Sequence, residues 1–190
     1  MMPGESGMDS DIREGLKLVT DRIGYHDRVK TPGRGMGLSI GFKDSGGVNK
    51  PAQARIKIST TGGIYLQSGS IEIGQGITTA LSAITAEILN APADRVHYPD
   101  VDTDHTPFDQ GTNASSGIIV MGQAVAQAAN QVKGKVLEFA AGQLDCDASE
   151  LTLDDWNIRR GNESHPLNLM IMRYFGGTGY EFTGEGYHKA

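Results

Sequence analysis

Cysteine is almost absent. The chain of 190 residues holds one, Cys146, so it cannot by itself build an intrachain disulfide, an iron–sulfur cluster or a cysteine-rich zinc site. Cys146 stands between Asp145 and Asp147, whose charges oppose thiolate formation, so a reactive thiol is not expected. Basic runs are also missing: 17 Lys and Arg face 23 Asp and Glu, for a net charge of -6. Nucleic-acid binding needs a basic footprint, and an anionic membrane surface asks for the same, so neither is an expected partner. The opening MMPGESGMDS is not a basic-then-apolar leader, and no apolar run approaches a membrane span. A soluble cytoplasmic protein is the expectation.

Familiar catalytic and metal spacings are lacking as well. His26, His97, His165 and His188 are scattered, with no HExxH pair. DVDTDH brings together Asp100, Asp102, Asp104 and His105, but the glycine and terminal glutamate of an EF-hand loop are misplaced. There is no GxSxG or Walker A motif. GRGMG (Gly33 to Gly37) lacks dinucleotide-binding spacing and reads as a turn into a strand. No metal ligand and no catalytic residue is therefore assigned to this chain.

What is present is apolar periodicity, at 38% apolar residues, and 26 glycines. Asp9 to Tyr25 reads as a helix capped by Asp9 or Ser10, with Ile12, Leu16, Leu18, Val19 and Ile23 in its stripe. Residues 37–42 read as a strand. Ala54 to Thr60 and Ile64 to Gly69 alternate about a turn at Thr61-Gly62-Gly63 and form a hairpin, which SIEI (Ser70 to Ile73) extends past a bulge at Gly69. A helix follows from about Ile77 to Asn90, then a short strand from Arg95, then a long helix over 116–143. Asp147 to Glu150 has capping-box form ahead of the strand LTL. WNIRRGN is a hairpin arm turning at Gly161, 166–175 is a short helix, and the final residues are strand-like. The expected class is α+β: a mixed or antiparallel sheet with two main helices packed on one face.

Two segments carry chemistry. In GSIEIGQGITTALSAITAEILNA, Gly74-Gln75-Gly76 joins a strand to a helix. Helix starts expose backbone N–H groups with partial positive charge, glycines admit a close ligand, and glutamine offers two donors and an acceptor. GTNASSG (Gly111 to Gly117) places small hydroxyl and amide residues before the second helix, a composition suited to phosphate held without lysine. Ordinary turns and caps are the plainer explanation of each loop taken alone, and both readings stay open at this point.

Together, E-x-G-Q-G, D-T-D-x-T-P and G-x-x-x-S before a helix resemble the molybdenum-cofactor-binding part of the xanthine dehydrogenase/aldehyde oxidase family of molybdenum hydroxylases. The likeness runs from about Gly33 to the end and is strongest over Gly69 to Gln127. It implies a molybdopterin-binding-domain fold. It also implies that Gln75, between Gly74 and Gly76, approaches molybdopterin, and that Thr112, Asn113, Ala114, Ser115 and Ser116 hold the pterin and its phosphate. Whether that pterin carries a cytosine dinucleotide is left open.

The departures have consequences. Many members carry Ser-Arg where this chain has Ser115-Ser116, so the cationic contribution there is missing. The family's catalytic base, a glutamate in G-V-G-E, has no counterpart; Gly184-Glu185-Gly186 has a different order and falls in a strand. The Gly-rich G-G-x-F-G-G stretch of the other molybdopterin half, the Fe–S modules and the flavin domain are absent too. The expectation is a lead-in with a helix over 1–32 and a molybdopterin-binding-like domain over 33–190, cut from a larger subunit or forming one piece of a split enzyme. The implied function is to hold molybdopterin within an oxidoreductase that hydroxylates an aldehyde or N-heterocycle with water-derived oxygen, inactive alone. The implied partners are the rest of the molybdenum subunit and the Fe–S and FAD domains or subunits. The alternative is a non-catalytic binding or assembly module of the same fold without cofactor.

Overall fold

The computed structural model describes residues 11–41 and 49–190, and the chain divides into two compact units, Met1–Asp44 and Ser45–Ala190. The first unit holds helix α1, Ile12–Arg22, with no buried residue. Its cap is Asp11, whose carboxylate accepts the N–H groups of Arg13 and Glu14 at 2.8 and 3.3 Å. The expected caps, Asp9 and Ser10, lie outside the described residues. The strand expected over 37–42 is not formed at 37–41, and Phe42 lies outside the described residues. Its alternating Leu38 and Ile40 are exposed, and without a neighbouring strand to complete its ladder an extended segment gains no sheet pairing.

In the second unit, β1 (Pro51–Ile58), β2 (Ile64–Ser68), β3 (Val96–His97) and β7 (Phe182–Lys189) form a four-stranded sheet in the order β3-β2-β1-β7. β1 pairs antiparallel with both β2 and β7, with Ile56 opposite Leu66 on one side and Gly184 on the other. β3 joins β2 in parallel, which makes the sheet mixed. Strand alternation buries Ala52, Ala54, Ile56, Ile58, Ile64 and Leu66 on one face. Helices α2 (Ile77–Leu89) and α3 (Gly117–Leu144) complete that core with Leu81 and Leu89 from α2 and Val125, Ala128 and Val132 from α3. The expected α+β class and both long helices are thus observed. A smaller antiparallel sheet follows, β4 (Thr152–Asp154), β5 (Asn157–Arg160) and β6 (Glu163–Pro166), leading into α4, Leu167–Phe175. The capping box closes at Asp147 and Glu150, as the sequence suggested.

Two features place α3. Gly184 and Gly186 let it lie directly on β7: a Cβ at Gly186 would stand 1.9 Å from the Ala124 carbonyl oxygen, and one at Gly184 2.2 Å from that of Ala128. Side chains of α3 then cover the outer edge of β7. Gln127 Oε1 accepts the Tyr187 N–H at 3.2 Å, Gln131 Oε1 accepts the Glu185 N–H at 2.8 Å, and Lys135 Nζ donates to the Thr183 carbonyl at 2.7 Å. The i, i+4, i+8 spacing of these three residues puts them on one helix face, where they mask an edge that would otherwise invite pairing.

The expected extension of β2 through Ser70 to Ile73 does not occur; β2 stops at Ser68. The 107–109 segment crosses there, so closely that a Cβ on Gly69 would meet Asp109 Cβ at 2.9 Å and the Pro107 carbonyl at 3.0 Å. Ser70 Oγ donates to Asp109 Oδ2 at 2.6 Å, and the Tyr98 hydroxyl donates to the Ser70 carbonyl at 2.9 Å. These bonds take the backbone off the ladder and turn it toward α2. Among the described residues, no helix is long and apolar enough to cross a membrane.

Candidate functional site

The loop into α2 is shaped by two left-handed residues, Gly74 at φ 95° and Gly76 at φ 75°. A side chain is strained in that region, so this conformation calls for glycine on both sides of Gln75. Between them the chain folds back on itself. Glu72 Oε1 accepts the N–H groups of Gly74 and Gly76 at 2.8 and 2.9 Å, and Oε2 accepts the Thr78 N–H and hydroxyl at 3.4 and 3.3 Å. The Gly76 amide, with help from Gly74 and Thr78, holds the Glu72 carboxyl below the usual carboxylate range against a smaller opposing effect of desolvation. The free amides expected at this helix start are therefore occupied by the chain's own anion. Glu72 stands two residues before the first glycine, so these bonds close only short loops.

Gln75 is likewise set by its own loop. Its Oε1 accepts the Ile73 N–H at 2.7 Å and its Nε2 donates to the Ile71 carbonyl at 3.0 Å. With one amide hydrogen committed to Ile71, the other is donated across a long 3.5 Å to Thr112 Oγ1. The carboxamide is exposed but oriented.

The second loop begins where Asp109 Oδ1 accepts the Gly111 N–H at 3.1 Å. Ala114 and Ser115 follow at φ 47° and 58°, two successive non-glycine residues in the left-handed region. Each such residue costs on the order of 1 kcal/mol, so surrounding bonds must hold the turn. Ser116, the N-cap residue of α3 and 2% exposed, donates its Oγ to the Asn113 carbonyl at 2.6 Å and makes no cap bond to the helix.

Lys50 completes the second loop. Its ammonium donates to Asn113 Oδ1, and to the Asn113 carbonyl and Ser116 Oγ, each at 3.3 Å. This cation was not legible in the sequence, which reads as a neutral loop. Lys50 sits 63 residues before Asn113, just ahead of β1, and nothing in its local context marks it.

The two loops meet. Besides the approach of Gln75 to Thr112, an ideal Cβ on Gly117 would lie 3.4 Å from Thr112 Oγ1 and 3.5 Å from Ile77 Cδ1, so the first residues of α2 and α3 are neighbours. All eight sequence-selected residues, Gly74 to Gly76 and Thr112 to Ser116, belong to this junction. The two sides differ in charge, with Glu72 on α2 and Lys50 on α3. Ile71, Ile73, Phe108, Ile118 and Ile119 flank the loops along the chain and are all exposed.

Elsewhere, a cleft of about 300 Å³ is lined by Arg55, Asp104, His105, Glu185 and Tyr187 among others, and takes in none of the eight. Glu185 is paired with Arg55 at 2.9 Å on the sheet. Among the described residues, no group of three or more His, Cys, Asp or Glu side chains is placed to hold a metal ion.

Compared with known families, residues 19–190 match the molybdopterin cofactor-binding domain. The chain belongs to that family. The resemblance carried by the glycine–glutamine and small-residue motifs is thereby confirmed. Among curated relatives, the probable hypoxanthine oxidase XdhD of Escherichia coli (strain K12) is 33% identical over 130 residues, 68% of this chain and 14% of that protein. The xanthine dehydrogenase molybdenum-binding subunit of E. coli O157:H7 is 41% identical over 103 residues, 54% of this chain and 14% of that protein. Among solved structures, reconstituted CO dehydrogenase from Oligotropha carboxidovorans aligns with a TM-score of 0.63 at 25% identity, covering 73% of this chain and 18% of that one. This molybdopterin cofactor-binding domain thus spans less than a fifth of the length of each of these three proteins.

Proposed function

We propose that this chain holds and orients a molybdopterin cofactor as one portion of a molybdenum oxidoreductase of the xanthine dehydrogenase/aldehyde oxidase type. The observation that carries the reading is the meeting of Gln75 with Thr112 at the paired starts of α2 and α3, in a chain of this family. The donor set fits the group. Gln75 presents an oriented carboxamide whose long 3.5 Å bond to Thr112 Oγ1 a heterocycle edge or a polarised oxygen would replace. Thr112, Asn113, Ala114, Ser115 and Ser116 offer hydroxyl, amide and backbone groups at the start of α3, where a helix favours negative charge. Gly74 and Gly76 shape the turn that aims Gln75, since their own amides serve Glu72.

When bound, the cofactor supplies the redox chemistry by which water-derived oxygen enters an aldehyde or N-heterocycle. The share of this chain is binding, orientation and electrostatic tuning. The catalytic base, the second molybdopterin half and the Fe–S and flavin centres belong to other domains or subunits, so the isolated chain has no turnover. The pterin is taken in its plain or its cytosine dinucleotide form, and the assembly works in the cytoplasm. Residues 1–32 serve as a lead-in to the domain over 33–190.

The test is Gln75→Ala in the complete assembly. Molybdenum and pterin content or the rate fall while the domain stays folded. Unchanged content together with an unchanged rate refutes the role of Gln75. A wild-type assembly without molybdenum refutes the whole reading in favour of a non-catalytic assembly module.

A further inference from the structure

We propose that Asp109 is the positioning residue of this site: its carboxylate ties the loop that carries Gln75 to the loop that carries Thr112 and so sets how the two are presented to the cofactor. The inference rests on the molybdopterin reading above and adds to it a residue outside the eight selected from the sequence.

Three observations carry it. First, Asp109 is anchored before its side chain acts. Its backbone bridges Ala52, and the neighbouring Phe108 carbonyl accepts the Gln53 N–H at 2.9 Å, so the residue stands on β1. The lack of a side chain at Gly69 lets it lie against the end of β2 as well. Second, its two oxygens serve different loops. Oδ2 accepts the hydroxyl of Ser70, at the head of the Gln75 loop, at 2.6 Å. Oδ1 accepts the N–H of Gly111, next to Thr112, at 3.1 Å. An ionised carboxylate only accepts, so it holds both donors at once through charge-assisted bonds. Third, Ser70 is held on every polar group. It is 1% exposed, its N–H donates to Ser68 Oγ at 3.2 Å, and its carbonyl accepts the Tyr98 hydroxyl at 2.9 Å. Tyr98 gives its one hydrogen to that carbonyl, so the Ser68 hydroxyl is the donor in the 2.7 Å bond between the two side chains. Burial raises the Tyr98 phenol above its ordinary value, opposed by the Ser68 bond and assisted by the Asp109 charge, and Tyr98 stays a donor.

These contacts close a circuit. Ser70 leads directly to Ile71, whose carbonyl accepts Gln75 Nε2 at 3.0 Å. Nε2 reaches Thr112 Oγ1 at 3.5 Å, and Thr112 follows Gly111, which returns to Asp109. Asp109 is the ionised member of the circuit. The link from Gln75 to Thr112 is its longest bond and the one that a bound heterocycle replaces. Asp109 then keeps the two loops in register while that link is open.

Because Asp109 acts through Gln75, the test is a double-mutant cycle in the complete assembly. Asp109→Ala, Ser70→Ala and Asp109→Asn are prepared, and the two alanine variants are repeated in a Gln75→Ala background. Molybdenum and released pterin are measured per assembly after dialysis to graded dilution, and folding is followed by circular dichroism. Asp109→Ala and Ser70→Ala stay folded and hold the cofactor about threefold to tenfold more weakly than wild type, the loss of the one hydrogen bond that Gln75 contributes. Asp109→Asn holds it as wild type does, since its oxygen accepts the Gly111 N–H while its amide donates to Ser70 Oγ. In the Gln75→Ala background neither alanine causes a further loss, as expected of residues that act through one group. A folded Asp109→Ala or Ser70→Ala assembly with wild-type content overturns the proposal and leaves the cofactor reading standing. Equal losses with and without Gln75 also overturn it, because Asp109 would then support the fold at large. So does an Asp109→Asn assembly as depleted as Asp109→Ala, because charge and not position would then be the requirement. If Asp109→Ala does not fold, Ser70→Ala, which keeps the backbone bonds of Ser70, decides by the same criteria. A wild-type assembly that contains neither molybdenum nor pterin overturns both the proposal and the cofactor reading.

Discussion

Replacing Gly186 with alanine adds one methyl group at the closest approach in the domain. That carbon would stand 1.9 Å from the Ala124 carbonyl oxygen, 2.7 Å from the Ala128 nitrogen and 2.9 Å from the Ala124 carbonyl carbon. All three are backbone atoms of a continuous helix, so no side-chain rotation relieves the clash. Ordinary contact begins near 3.4 Å, and α3 must withdraw from β7 by about 1.5 Å. A gap of even about 0.5–1 Å forfeits a quarter to a half of each dispersion contact along the seam. The residues losing those contacts include Ala124, Ala128 and Val132, all fully buried. Overpacking of a core costs about 1–3 kcal/mol where side chains can adjust. With backbone on both sides, about 3 kcal/mol or more is expected, a drop in Tm of roughly 6–12 °C for a chain of this size. Thermal and urea unfolding followed by circular dichroism measure it. The matched control is Gly134→Ala on the same helix, where a Cβ meets nothing within 4 Å; it should stabilise by about 0.5–1 kcal/mol through helix propensity. A Gly186→Ala domain within about 0.5 kcal/mol of wild type would refute the direct seating of α3 on β7, and with it the placement of the loop that opens α3.

Two further expectations follow from the site and the sheet edge. Glu72→Gln should lower stability at neutral pH. The folded carboxyl titrates below its ordinary value because the Gly76, Gly74 and Thr78 groups bind its charged form. Its contribution is therefore complete above the ordinary glutamate pKa and is lost as pH falls through the folded value. The Tm gap between wild type and variant should narrow on acidification, and a gap independent of pH would count against the capping role. Replacing both Gln127 and Gln131 with alanine uncovers the Glu185 and Tyr187 N–H groups on the edge of β7. Light scattering should then detect self-association, and a double variant as monodisperse as wild type would show that the glutamines do not guard the edge.

Local spacing made most elements legible. The Ala54 to Thr60 alternation produced β1 and its hairpin with β2, and the helical stripe of Leu81, Ile84, Ile88 and Leu89 produced α2. The two misread strands failed for non-local reasons. Residues 37–41 have the alternation but no sheet neighbour, and Ser70 to Ile73 are drawn off β2 by the crossing of residues 107–109. The same limit applies to the site. The glycine–glutamine turn and the small-residue loop were visible because each is a contiguous motif, whereas the electrostatics of the junction were not. The sequence suggested free amides on both sides and no cation, but Glu72 fills one helix start and Lys50 attends the other.

The sequence by itself determined the periodic elements, the two chemistry-bearing loops and, through their joint motifs, the family. Short-range spacing decides those features, since side-chain period and turn chemistry act within a few residues. Tertiary structure alone decided that Gln75 and Thr112 face each other across 3.5 Å, and that an ammonium 63 residues away in the chain comes to the start of α3. Charges and donors attract according to distance in space, and only the packing of α3 on β1 and β7, next to α2, sets those distances.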